Sequence, residues 1–197
     1  MNVAPMHLFL LAAFALSAMY CSPSRQTTVK SQAVSAAPVA FQKLLVFAHI
    51  EDSFNRRMVE VGIAQALEQK GIKAHSTYRS INGVKDDAAA SLTRTALAMG
   101  ADGLLVVTNA KAADSAAENT AFGSIQLGPP IPLTGGITQS DVLHVVATLH
   151  RRGAQQPMWR MGFSQRVGDN VKLLGDAINA TVVEGVLKSG LALSTTN

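Results

Sequence analysis

Apolar residues along this chain follow two rhythms. Residues 43–50 read KLLVFAHI, an apolar run without alternation, which predicts a strand covered on both faces as in a parallel sheet. Phe54, Met58, Val61, Ala64 and Leu67 then recur at spacings of four and three. That spacing predicts a helix with one apolar stripe, capped by Asp52 or Ser53 and stopped at Lys70-Gly71. In residues 72–78, Ile72, Ala74, Ser76 and Tyr78 alternate with Lys73, His75 and Thr77, as in a strand at a sheet edge. A second helix is expected from Asp86 or Asp87, turning Ala88, Leu92, Ala96 and Met99 inward and ending at Gly100. Residues 103–108, GLLVVT, are another buried run, so the first half reads β-α-β-α-β.

The second half changes rhythm. Residues 109–141 are rich in Ala, Gly and Pro, contain GPPIPLTGG, and read as a long loop with a short strand over 121–127. Leu143, Val145, Ala147 and Leu149 then alternate with more polar neighbours, and Trp159, Met161 and Phe163 do the same after a polar turn at 151–157. Two alternating strands with a short connection predict an antiparallel hairpin. Val171, Leu174, Ile178, Val182 and Val186 mark a long closing helix over 168–191. The expected fold is α/β: a three-layer mixed sheet, with a β-α-β-α-β core followed by an antiparallel hairpin and a long C-terminal helix.

The amino-terminal region has a different character. Residues 8–18, LFLLAAFALSA, are eleven positions without a charge, the length of a secretory h-region and too short to span a bilayer. Residues 1–21 are thus expected to be a signal peptide ending in a lipobox-like Cys21. A small residue, Ser22, follows the cysteine, although Tyr20 stands where a small residue is usual. Cleavage near Ala18, or retention as an uncleaved anchor, are the competing routes. Cys21 is the single cysteine, so no intramolecular disulfide framework exists, and thioether lipidation would use a thiol that is otherwise a liability in an oxidising compartment. Residues 22–41 are polar and Ser/Ala-rich and read as a flexible tether. Residues 42–193 then form a single α/β domain carrying the 109–141 loop.

Several strings carry a resemblance. KLLVFAHI, DSFNRRMVEVGIAQALEQKGIKAHSTY, ALAMGADGLLVV and the later PMWRMGFS resemble the core of small Gram-negative envelope lipoproteins. Their α/β domain is similar to the Tol-system and curli-secretion type. The resemblance implies an envelope location and an α/β fold, and Ser22 after the cysteine implies outer-membrane sorting. It supplies no catalytic residues.

Charge and candidate chemistry narrow the picture further. The net charge is +4, but apart from Arg56-Arg57 and Arg151-Arg152 the basic residues are scattered, so no nucleic-acid partner is expected. The turn after the first strand, HIEDSFN, offers two carboxylates and no glycine, which excludes a phosphate cradle. His49, Glu51 and Asp52 cluster at that strand's carboxyl end, a place for a metal or acid–base site, or simply a strand end followed by a helix cap. His144 and His150 share a strand face but lie about 20 Å apart at strand rise, so a zinc site would need a bend and help from His75 across a sheet edge. Ser53, Ser124, Ser140 and Ser164 sit in no nucleophile elbow. Glu60 is within reach of Arg56 and Arg57, which favours an intrahelical ion pair over catalysis. Trp159 reads as a core or interface anchor, with a ligand platform as the lesser reading.

These observations favour a non-enzymatic envelope lipoprotein: no catalytic, cofactor-binding or metal residues, no cofactor, lipidation at Cys21, and an outer-membrane position facing the periplasm. Its partners are the membrane, through the anchor, and an envelope protein or polymer met by the 109–141 loop. One alternative is a soluble periplasmic small-ligand binder or enzyme using the His49/Glu51/Asp52 corner. Another is a subunit of an envelope assembly, including a homo-oligomer joined at an exposed strand.

Overall fold

Strand β2 (Leu44–Ala48) is buried at every position, as its unbroken apolar run requires. In this computed structural model, which describes residues 28–33, 40–78, 88–110, 118–133, 142–166 and 171–190, β2 lies inside a six-stranded sheet. Helix α1 (Ser53–Glu68) follows, and its N-cap Asp52 accepts a hydrogen bond from the Asn55 amide at 2.8 Å. The helix stops at Gly71, whose φ of 81° suits a residue without Cβ, with Ile72 N–H donating back to the Leu67 carbonyl. Strand β3 (Ala74–Ser76) pairs parallel with β2. After α2 (Ala88–Ala98), strand β4 (Gly103–Asn109) pairs parallel with β2 on its other side.

The antiparallel half follows as expected. Strand β7 (Val142–Arg151) pairs with β4, and β8 (Trp159–Arg166) pairs with β7 as a hairpin. Helix α3 (Val171–Lys188) closes the chain. Within the 109–141 segment, β5 (Glu118–Thr120) and β6 (Gly123–Ile125) form a small two-stranded sheet, so part of the expected loop is ordered hairpin.

One strand was not expected. Thr28–Ala33, inside the segment read as a flexible tether, is strand β1 and pairs antiparallel with β8 from Thr28↔Ser164 to Ala33↔Trp159. The large sheet thus has the order β1-β8-β7-β4-β2-β3. The physical reason is that an edge strand is held by its backbone groups, which a polar sequence supplies as well as an apolar one.

The sheet separates two cores. On one face, Val46, Leu105, Val145, Ala147, Trp159 and Met161 pack beneath α1 and α3. On the other, Leu45, Phe47, Leu104 and Val106 meet Leu92 and Ala96 of α2 together with Phe122 and Ile125 of the small hairpin. This is the three-layer mixed α/β arrangement expected from the sequence. Trp159 is wholly buried, and a Cβ at Gly185 would collide with Met161 and crowd the indole, so glycine there lets α3 settle onto β8.

The apolar stripe of α1 is rotated from its expected position. Phe54 is 65% exposed, and the buried face is Arg56, Val59, Glu60, Ile63, Ala64 and Leu67. The rotation carries an ion pair into the interior, which a count of apolar spacings cannot register.

Candidate functional site

In an open α/β sheet, ligands settle outside the carboxyl ends of the parallel strands, where consecutive connections diverge to opposite sides. Here that point lies between β2 and β4, because β3 joins β2 on one side and β4 on the other. His49 and Ile50 extend β2 there, while Thr108 and Asn109 end β4.

The chain fills this crevice itself. Ile131 forms a parallel bridge with Ile50, its N–H donates to the His49 carbonyl at 2.7 Å, and its own carbonyl accepts from Glu51 N–H at 3.3 Å. The Asn55 side-chain amide donates to the Leu133 carbonyl, which ties the strap to α1. Ile131 and Leu133 are both buried. Prolines on either side of Ile131 limit the strap's own freedom, which lowers the entropy lost in holding it there.

The three residues of the expected corner consequently have separate duties. His49 is buried and stacks on Phe47 with ring centroids 6.0 Å apart. Burial lowers its pKa; the Gly128 carbonyl opposes this, and the charge of Arg56 adds to it. Among the described residues, its Nδ1 has no hydrogen-bond partner. Glu51 points to solvent, and Asp52 caps α1. Nothing in this arrangement converges on a shared ligand.

Beneath the crevice lies a buried polar cluster. Arg56 Nε donates to Glu60 Oε1 at 2.9 Å, and Arg56 Nη2 donates to Thr77 Oγ1 at 3.1 Å. The Thr77 hydroxyl donates to the Glu60 carboxylate at 2.8 Å, and Ala48 N–H donates to it at 3.1 Å. The guanidinium also lies 5.1 Å from the Phe47 ring centroid. Burial pushes the Glu60 carboxyl above its ordinary range, against the pull of Arg56 and the three donors. The Arg56–Glu60 pair was visible in the sequence as an i,i+4 spacing. Its burial and its partner Thr77 were not, because β3 brings Thr77 in from seventeen positions away.

The histidines do not assemble. His144 is exposed and shares a 2.8 Å hydrogen bond with Ser164. His150 is buried, pairs with Thr148 through Nε2 at 2.9 Å, and has its pKa lowered by burial to about 4. His75 cannot approach either, since β2 and β4 stand between β3 and β7; it lies 3.8 Å from Glu68 instead. Among the described residues no group of three or more His, Cys, Asp or Glu could hold a metal ion. Ser124 bonds Asn119 at 3.0 Å, and Ser53 is the exposed first residue of α1. Ser140 and Cys21 lie outside the described residues.

A further structural residue that sequence reading passed over is Asp102. Its carboxylate accepts the Gln42 amide at 2.9 Å and the Lys43 amide at 2.8 Å, pinning the start of β2 beside β4.

No family model matches this sequence, and no curated protein does. Among solved structures, the chain is similar to the PelC dodecamer from Paraburkholderia phytofirmans, with 14% identity, a TM-score of 0.48, and coverage of 86% of this chain and 100% of that one. A point variant of that dodecamer gives 13% identity, a TM-score of 0.49 and the same coverage.

Proposed function

We propose that this protein is a non-enzymatic envelope lipoprotein, anchored through Cys21 in the outer membrane and facing the periplasm, where it serves as a binding or assembly-accessory module. The observation that carries the anchor is the lone cysteine placed three positions after the end of an eleven-residue uncharged apolar segment. The resemblance of the α/β core to Tol-system and curli-secretion lipoproteins supports the same reading. Among the described residues, no helix is long and apolar enough to cross a membrane. The non-enzymatic part rests on the crevice between β2 and β4, which Ile131 and Leu133 occupy.

Intact mass of the membrane-fraction protein, with Cys21→Ala as control, tests this reading. A mature chain beginning at Cys21 and carrying diacylglycerol plus an acyl chain, lost in the variant, is the expected result. An unlipidated chain beginning near Met19 in the soluble fraction would overturn it.

Assembly into a larger body is the second reading, and the β3 edge of the sheet favours it. Strand β3 is a terminal strand of the six-stranded sheet, with one side unpaired within it. A homo-oligomer joined there would show as a mass above the monomer in gel filtration with light scattering; a clean monomer at all concentrations would exclude it.

A further inference from the structure

The strand directions place several exposed groups at one end of the molecule. β2, β3, β4 and β8 all end on the same rim, while β1 and β7 begin there. Helix α1 also starts on that rim, immediately after β2. Phe54, 65% exposed, and Val142, 47% exposed, both stand on it, and they are the two most exposed large apolar residues among those described. The next two, Leu97 and Leu187, lie near the far ends of α2 and α3, at the opposite rim. Arg57 and Arg166 stand with Phe54 and Val142. Arg57 is exposed and lies 5.2 Å over the Tyr78 ring, and Arg166 is exposed at the register position of Val142. Neither arginine has an acidic partner among the described residues. Glu51 shares the rim and opposes them, while Asp52 is engaged by the Asn55 amide.

The first described residue after the candidate anchor, Thr28, stands on the same rim. Thr28, the first residue of β1, comes seven positions after Cys21, a maximum span of about 25 Å. Had the whole 22–41 segment been a tether, the domain could have turned any face to the bilayer. Because β1 is docked on β8 and begins on this rim, a lipid on Cys21 would keep the rim within that span of the membrane. We infer that the rim bearing Phe54, Tyr78, Val142, Arg57 and Arg166 seats on the membrane surface, with the apolar and aromatic groups in the headgroup layer and the arginines on lipid phosphates. This rests on the lipoprotein reading above.

The chemistry fits a bilayer better than a protein surface. Two apolar side chains set among charges fall far short of the ~800 Å² per partner of a standard protein interface. Beside an acyl anchor, however, a few aromatic and basic groups suffice as a second membrane signal.

The single cysteine makes a direct test possible. The purified protein is coupled through Cys21 to a maleimide phospholipid in phosphatidylethanolamine/phosphatidylglycerol vesicles, with or without bromine on the acyl chains near the headgroup. Phe54→Trp and Leu97→Trp report on the two rims, and Trp159, being wholly buried, contributes a constant background. The expected result is loss of emission for Phe54→Trp in brominated vesicles and none for Leu97→Trp, with the loss reduced when Arg57→Gln and Arg166→Gln are added. Equal quenching at both positions, or none at either, overturns the seating; so does self-association through the Phe54 rim on the vesicle. The coupling is chemical, so a native protein without lipid on Cys21 would defeat the lipoprotein reading while leaving the outcome of this experiment readable.

Discussion

At the scale of single residues, the interior polar groups decide the energetics more than the surface pairs do. Glu60 is fully buried and accepts from Arg56, Thr77 and the Ala48 amide, so Glu60→Ala strands a guanidinium in the core. A loss of about 3–5 kcal/mol is expected, read from urea unfolding. Replacing both partners, Arg56→Met with Glu60→Leu, is expected to cost less than Glu60→Ala, because no uncompensated charge remains. A double variant as damaged as the single one would mean that the pair's geometry, rather than its charge balance, supports the fold. The exposed Glu184–Lys188 pair makes the contrast: Glu184→Ala is expected to change stability by less than about 0.5 kcal/mol. His150 adds a pH dependence. Its folded pKa of about 4 lies below the ordinary 6.5, so between those values the unfolded chain takes up a proton that the fold excludes. Stability from this group is complete above pH 6.5 and is lost as the pH falls through that window. From pH 7 to pH 4.5 the loss is about 2 kcal/mol. In His150→Gln the drop between those two pH values is expected to shrink accordingly; an unchanged drop would assign the acid sensitivity elsewhere, His49 being the next buried histidine.

At the scale of elements, the sequence was most legible where burial is one-sided or complete. The runs at β2 and β4 and the alternation in β7 and β8 each follow from a single local rule, and each element lies where that rule puts it. Helix α1 was legible in extent but not in rotation, since its inward face includes Arg56 and Glu60, which partners from β2 and β3 make tolerable inside. Strand β1 was illegible because TVKSQA contributes backbone pairing and no apolar signal. The strap was hidden for a related reason. GPPIPL reads as a turn-rich loop, and only the position of β2 against β4 turns Ile131 into a plug for the expected site. The His49/Glu51/Asp52 corner was therefore located correctly in the sheet, while its occupancy by the chain depended on contacts eighty positions away. Ile131→Ala truncates a wholly buried side chain of the plug and is expected to cost about 2–5 kcal/mol. Hydrogen exchange should quicken at the Glu51 and Ile131 amides before the rest of the sheet. Uniform exchange across the sheet would show the strap to be part of the global unit rather than a separable cover.

At the scale of the whole molecule, β1 links the folded sheet to the candidate anchor. It covers the outer side of β8, whose Trp159, Met161 and Phe163 alternate toward the core and whose free edge would otherwise present an eight-residue row of backbone donors and acceptors. Long exposed edges pair with other chains, and evolution usually blunts them with charge, bulges or a covering segment. A polar strand carrying Lys30 opposite Gly162 is a cover of that kind, because it ends the sheet without offering another apolar edge. Deleting residues 22–33 while keeping Cys21 therefore changes two properties together. The bared β8 edge is expected to produce concentration-dependent association in light scattering, beyond any association of the full chain. On vesicles, the shortened chain is expected to lose the fixed register between Cys21 and the Phe54 rim, since the strand that sets it is gone. Association without any change in rim orientation would mean that β1 guards the edge but does not orient the domain. An unaltered scattering profile would mean that β8 tolerates its bare edge and that β1 serves the anchor alone.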